Sequence, residues 1–591
     1  MARFDVWAPA ASAVEVDIAE PSKAAGRTAL SLGDDGWWGV DVPDAAPGDD
    51  YSFRLGIDGG EPGEPLPDPR SRWQPHGVDG PSRLYDDAAF TWTDDRWRGL
   101  PLAGSVLYEL HVGTFTDEGT FDAAVEKLDH LVDLGVDAVE LLPVNAFGGV
   151  RGWGYDGVDL FAVHDPYGGP DGLKRLVDAC HARGLGVVMD VVYNHLGPAG
   201  NYLGRFGPYF TDTHVTPWGS AVNLDAPGSD GVRAFILDNA RMWLRDFHID
   251  GLRLDAVHAL ADERAIHVLE ELAATVEQLG AQTRRPLFLI AESDLNDPKL
   301  IRSRQSGGYG LDAQWCDDVH HALWATLSGE RQGYYVDFGP LAVLAKAMTK
   351  AFVHDGSYST FRGRRHGRPA TGVAAHRFVT FLQDHDQIGN RGLGDRATAT
   401  LPDELLQVGA ALLLLSPYTP MLFMGEEWGA RTPWQFFSDQ AGELGEAVRT
   451  GRRAEFAAHG WATGDVPDPQ DPGTFQHSKL DWSEPTSQRG AALLDWYRKL
   501  LRLRRVEPDL TDPDLGNVHV SFDRETEDEP GSWFVLRRKS VAIAVNLGSE
   551  RQVIPVPGTP VRMLLTSQPG FGFGDGAVGI AGRSVAVLKL I

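Results

Sequence analysis

Short runs of alternating apolar and polar side chains at 4–7, 13–18, Trp37–Val42 and 51–55, separated by turn-forming residues, open the chain. Alternation at period two puts every second side chain on one face, so these runs predict the strands of a small β-sandwich over residues 1–90. The Pro- and Gly-rich passage 61–82 breaks the pattern and is expected to be an ordered linker or docking segment. From Ser105 the texture changes to strand, helix, strand, helix, the pattern of parallel βαβ units. Strands are predicted at 105–115, 138–144, 186–193, 251–257, 287–292, 313–317, 378–383 and 421–424. Helices are predicted on the face of Phe121, Val125, Leu128, Leu131 and Leu134, and at 173–183, 232–247, 265–279, 404–415 and 491–505. Eight such strands favour closure into a (β/α)8 barrel, with inserted loops, over an open sheet. Strand-like runs return after Pro508, at 534–537, 540–545, 561–565 and 585–590, and predict a C-terminal antiparallel β-domain over 509–591. The expected fold class is therefore multidomain α/β, a TIM barrel at 91–508 between two β-domains.

Composition narrows the partners more than the fold. At 591 residues the chain suits several domains, and no apolar run approaches the roughly 20 residues that cross a bilayer. Met1-Ala2-Arg3-Phe4 leads straight into the first strand with no apolar leader, which predicts cytoplasmic residence. Cys180 and Cys316 lack metal-ligand spacing and are expected to be buried small apolar residues, not a disulfide. A net charge of -29 disfavours nucleic acid and anionic membrane, both of which need a basic face, and leaves a neutral substrate unopposed. A monomer without cofactor is expected.

The chemistry lies at the ends of predicted barrel strands, where such barrels carry their active sites. The third ends Asp190-Val191-Val192-Tyr193-Asn194-His195. The fourth reads Gly251-Leu252-Arg253-Leu254-Asp255-Ala256-Val257-His258, the fifth ends Glu292-Ser293-Asp294, and the seventh ends Gln383-Asp384-His385-Asp386-Gln387. Glycosidic cleavage needs one carboxylic acid to protonate the leaving oxygen and one carboxylate at the sugar carbon, so carboxylates converging on one mouth fit that reaction. Arg253 and Asp255, two apart on a strand, share a face, and the guanidinium would keep Asp255 ionised. Glu292, with apolar residues behind it and carboxylates nearby, would hold a proton. Among the 17 Trp and 14 Tyr, Trp153, Tyr155, Trp218 and Trp428 fall in predicted loops over the mouth and are candidates to line a glucan cleft.

These four strings resemble the short motifs of the α-amylase family of glycoside hydrolases, in order and across nearly the whole chain. The resemblance implies that Asp255 is the nucleophile, Glu292 the acid and then base, and Asp386 the stabiliser of the transition state. It places Arg253, His195 and His385 on the same sugar subsite, Tyr155 of Gly152-Trp153-Gly154-Tyr155-Asp156 beneath it, and Asp190 in support, with His258, Gln387 and Asn390 as further contacts. Phe4-Asp5-Val6-Trp7-Ala8-Pro9 and Tyr51-Ser52-Phe53-Arg54 look like the immunoglobulin-like domain of branching, debranching and trehalose-releasing members. Asp68 to Pro75, Ala313 to His321 and Met424-Gly425-Glu426-Glu427-Trp428 look like the trehalose-releasing group. That likeness implies a trehalose-capped maltooligosaccharide as substrate and makes Asp317, Asp318, His320 and His321 candidate contacts to its trehalose end. The family commonly has Asn where this chain has Asp384. Asn194 matches a calcium ligand of classical α-amylases, yet no metal is expected. A branching enzyme, a general α-amylase or debranching hydrolase, and a non-catalytic glucan-binding protein are the competing assignments.

Overall fold

The structure, a computed structural model, describes residues 1–216, 219–458, 466–524 and 531–591. In the amino-terminal unit alternation decides which face is dry: Ala2–Trp7 turns Phe4 and Val6 inward while Arg3 and Asp5 stay outside. That strand joins Trp37–Val42 and Ser31–Leu32 in one antiparallel sheet. Gly26–Ala29, Ala11–Ile18, Asp50–Ile57 and Ser82–Arg83 form the other. Val14, Val16, Trp38, Tyr51 and Phe53 fill their shared core.

The irregular passage that follows docks on the barrel. Arg70 reaches Asp238 at 3.0 Å, with its guanidinium near the rings of Phe161 and Phe235, and the Trp73 indole N–H donates to Asp165 at 2.7 Å.

Eight parallel strands close the barrel: β1 (Leu107–Leu110), β2 (Ala138–Leu141), β3 (Gly186–Val191), β4 (Gly251–Leu254), β5 (Phe288–Ala291), β6 (Ala313–Trp315), β7 (Phe378–Phe381) and β8 (Thr419–Phe423), with β8 pairing back to β1. All are buried on both faces, as a barrel ringed by helices requires. Leu107, Ala138, Val188, Phe288, Ile290, Trp315, Phe381 and Met421 belong to one buried cluster. The strands are shorter than their sequence patterns suggest. Residues 111–115 leave β1 and coil into the helix Val112–Phe115. Residue 317 is not strand but the first residue of the helix Asp317–Ser328, which the apolar pattern did not reveal. The hairpins Asn145–Phe147 with Gly157–Val163 and Phe210–Thr216 with Gly219–Val222 were likewise unpredicted.

The helix Gln488–Val506 packs beside Asp403–Leu414 and closes the ring. Beyond it, five strands (Val518–Phe522, Trp533–Arg538, Val541–Asn546, Ser584–Leu590, Pro560–Thr566) and three more (Gln552–Pro555, Ala577–Ile580, Gly572–Gly574) form the C-terminal antiparallel sheets. Cys180 and Cys316 are buried and free. No helix among the described residues is long and apolar enough to cross a membrane.

The N-terminal end of the barrel is stapled by buried charge. Asp250, just before β4, accepts from the Trp97 indole at 2.7 Å, from His181 Nε2 at 3.0 Å and from the Val187 amide at 2.9 Å, and His181 Nδ1 lies 2.8 Å from Asp94. Burial opposes a charged His181, but Asp250 and Asp94 raise it above the ordinary imidazole value. Its contribution is therefore complete below about pH 6.5 and falls away as pH rises through the raised value. Asp250→Ala is expected to cost about 3–5 kcal/mol, the usual effect of removing one partner of a buried pair. Chemical denaturation at pH 6 and pH 9 should show the gap between parent and variant narrowing at the higher pH; an equal gap at both would refute a charged His181.

Candidate active site

The polar residues at the other end of the barrel form one connected network. Asp190 on β3 and Arg253 on β4 are register partners pointing inward. The fully buried Arg253 sends Nη1 to both oxygens of Asp190 at 3.0 Å and to Asp255 Oδ1 at 2.7 Å, while its Nη2 lies 3.9 Å from Glu292 Oε2. Its guanidinium rests 4.4 Å from the centre of the Trp315 ring. One cation thus faces three carboxylates from three strands. Burial works against that charge, and Asp190, Tyr155 and Asp255 together raise it further.

Strand β4 stops at Leu254, so Asp255 is the first residue beyond it. Ala256 then turns left-handed at φ 38°, a conformation a residue with a Cβ adopts at a cost of order 1–3 kcal/mol. The turn is held by Glu292: the Ala256 amide donates to Oε2 at 2.6 Å and the Val257 amide to the Glu292 carbonyl at 3.0 Å. Asn194 donates from Nδ2 to the Asp255 side chain and carbonyl, both at 2.8 Å, and its own carbonyl faces His195 Nδ1. His195 Nε2 lies 3.1 Å from the Tyr155 carbonyl.

The carboxylates differ in environment. Burial pushes Glu292 up to about 8; Arg253 opposes this, and Asp255, Asp317 and Asp386 add to it. Burial also lifts Asp190 to about 6 against Arg253, and lifts Asp317, with Asp318 and Asp386, to about 7. Asp384, three residues beyond β7, caps the short helix His385–Gly389 by accepting from the Gln387 amide at 2.6 Å, so the acid in place of the family's Asn serves the backbone. Asp386 is half-buried; it accepts from Asn390 Nδ2 at 3.1 Å and lies 3.5 Å from His385 Nε2. Tyr155 donates to Asp190 at 2.6 Å, and its ring stacks on His385 with centres 5.2 Å apart.

Asp255, Glu292, Asp386, Asp190, Arg253, His195, His385, Tyr155 and Asp317 are therefore brought together. His321 lies along one wall with its ring 4.8 Å from Tyr334, whose hydroxyl is 3.4 Å from Gln387 Oε1. His258 is exposed on the turn Val257–Ala259 that follows Asp255, and Asn390 is exposed where Arg452 donates to it.

Two expected contacts to the trehalose end are corrected. Asp318 is buried, and its Oδ2 accepts from Asn296 Nδ2 and the amides of Val353 and His354. His320 is buried with Nδ1 on the Leu382 carbonyl and Nε2 on the Tyr335 hydroxyl, and burial drives it down to about 3. Asp318 Oδ2 and both ring nitrogens of His320 are thus taken up within the fold. Two of the mouth aromatics are likewise core: Trp428 packs on His130 and Trp482, and Trp153 stacks on Trp434 and donates to the Gln435 carbonyl. Trp218 lies outside the described residues. What the motifs missed is Glu109 in β1, which binds His385 through both carboxylate oxygens. Glu109 lies inside the strand, one residue before its end in the run Tyr108-Glu109-Leu110-His111, so its signal is a lone carboxylate in an apolar run.

The family described as "Alpha amylase, catalytic domain" matches residues 84–206, and "Carbohydrate-binding module 48 (Isoamylase N-terminal domain)" matches residues 1–70. The chain is 58% identical over 512 residues to a malto-oligosyltrehalose trehalohydrolase of Arthrobacter ramosus, covering 86% of this chain and 87% of that one. It is 51% identical over 596 residues to the malto-oligosyltrehalose trehalohydrolase of Mycobacterium tuberculosis, covering 100% and 99%. Among solved structures, a putative α-amylase from Salmonella typhimurium superimposes with a TM-score of 0.88 at 38% identity, covering 99% of this chain and 97% of that one.

Proposed function

Because the chain belongs to the malto-oligosyltrehalose trehalohydrolases, glycoside hydrolases of the α-amylase family, we propose that it hydrolyses the α-1,4 bond next to the terminal α,α-trehalose of maltooligosyltrehalose, releasing trehalose and a maltooligosaccharide. Asp255 attacks the anomeric carbon while Glu292 protonates the departing trehalose oxygen. Glu292, now ionised, then deprotonates the water that frees the glycosyl group from Asp255, and configuration is retained. Asp386 grips ring hydroxyls, with Tyr155, His195 and His385 on the same ring, and Asp317 and His321 lie toward the leaving trehalose. The observation that carries this assignment is the single guanidinium shared by Asp255 and Glu292. Each carboxyl lies against that one cation, which supports a pair close enough for direct attack, about 5 Å being the usual separation. The same proposal takes residues 1–90, 91–508 and 509–591 as the domains, and a cytoplasmic monomer as the working form.

Maltopentaosyltrehalose offered beside maltohexaose tests it. Free trehalose should appear from the first far faster than glucose or maltose from the second, and amylose should gain no branches. Equal attack on both substrates would make the enzyme a general amylase. The pH profile is a second test. The acid works only while protonated, so kcat/KM should fall as pH rises through about 8, approaching tenfold per unit beyond it. A flat profile to pH 10 would remove Glu292 from that role.

A further inference from the structure

The charge of His385, at the ring subsite, follows from its hydrogen bonds. Its Nδ1 lies 2.6 Å from Glu109 Oε1, and its backbone amide donates to Glu109 Oε2 at 3.0 Å. Its Nε2 lies 2.8 Å from the Tyr155 hydroxyl. That hydroxyl has one proton, which goes to Asp190 Oδ2 at 2.6 Å, because both Asp190 oxygens already accept from Arg253. The Tyr155 oxygen can then only accept, so Nε2 carries a hydrogen. Nδ1, facing a carboxylate, carries the other.

We propose that Glu109 is a positioning residue that keeps His385 an imidazolium and so gives the buried chain Glu109–His385–Tyr155–Asp190–Arg253 one fixed direction. The cation it maintains lies 3.5 Å from Asp386 and offsets the carboxylates gathered at the subsite. Burial opposes that charge, and the carboxylates around the ring outweigh the burial. Glu109 faces the ring from β1, and Asp384 and Asp386 flank it in its own segment. Glu140 on β2 and Asp190 on β3 lie beyond. Tyr155 and the rings of Trp153 and Trp315 cover its sides. His111, the remaining imidazole nearby, is held neutral by burial, at about 3. The alternative arrangement, a neutral pair with the proton on Glu109, puts that proton on the intrinsically more acidic group and leaves Asp386 beside an uncharged ring.

The inference rests on the proposed hydrolase chemistry only for its effect on rate, so its first test needs no substrate. In protein labelled with 15N-histidine at pH 8.5, the His385 ring, assigned through His385→Gln, should show both nitrogens protonated. In Glu109→Gln one ring proton should be gone at that pH. With maltopentaosyltrehalose, Glu109→Gln should lower kcat by about tenfold with little change in KM, and its alkaline loss of activity should begin at lower pH. A bare ring nitrogen on His385 in the parent would overturn the proposal even if the variant failed to fold. An unchanged ring and an unshifted pH profile in a folded Glu109→Gln would also overturn it. Absence of free trehalose from the parent would instead sink the substrate assignment and leave the imidazolium standing.

Discussion

Asp255→Asn should lose roughly 10⁴-fold in kcat on maltopentaosyltrehalose, because an amide cannot form the glycosyl ester on which double displacement depends. The substitution keeps the side chain's shape, and Arg253 retains its two bonds to Asp190, so the variant should unfold within a few degrees of the parent. Glu292→Gln should be comparably slow on the same substrate for a different reason: the leaving trehalose oxygen no longer receives a proton. An α-glycosyl fluoride separates the two, since fluoride departs without one. Glu292→Gln should then form the covalent intermediate at a rate near the parent's and hydrolyse it slowly, so that mass spectrometry of the quenched protein finds sugar on Asp255. Asp255→Asn should form none. Sugar on Asp255→Asn, or none on Glu292→Gln, would reverse or dissolve the two assignments.

The second large effect concerns stability as well as rate. Arg253→Leu should destabilise the protein by about 3–5 kcal/mol near pH 7.5, because Asp190 and Asp255 would stay buried without their cation. With Arg253 gone the largest opposition to burial at Asp190 is lost, so that carboxyl titrates at still higher pH than it does in the parent. Lowering the pH neutralises it, and the deficit should shrink toward pH 5. Urea denaturation of parent and variant at both values checks this. A deficit that grows on acidification would mean that Arg253 stabilises by packing on Trp315 and not by charge.

Much of this site was readable because catalytic carboxylates sit where barrel strands end, and β3, β4, β5 and β7 each close on a short polar string. The errors have physical causes. Extending β6 to residue 317 concealed a helix whose period separates the four residues Asp317, Asp318, His320 and His321. Asp317 and His321, four apart, face the cleft wall together, whereas Asp318 and His320 point into packing. Trp428 was read as a loop residue over the mouth, but the three-residue turn Glu426–Trp428 folds it beneath the barrel wall with no exposed surface. The strand Gly157–Val163 is buried along its whole length and so lacks the alternation by which a strand announces itself. Glu109 stays hidden because it lies within β1, with Leu110 after it, and no polar string closes that strand.

The closure of the barrel also constrains its birth. The first strand, Leu107–Leu110, finds one of its two neighbours in Thr419–Phe423, more than three hundred residues later. At ribosomal speeds of about 10 residues per second, that partner emerges on the order of half a minute after the first strand does. For that interval a run of apolar side chains and unpaired amides is left without its final mate, exposed to any other nascent edge. Slowing translation between codons 110 and 419 should therefore lower the soluble yield more than an equal delay placed after codon 506, where the ring is already complete.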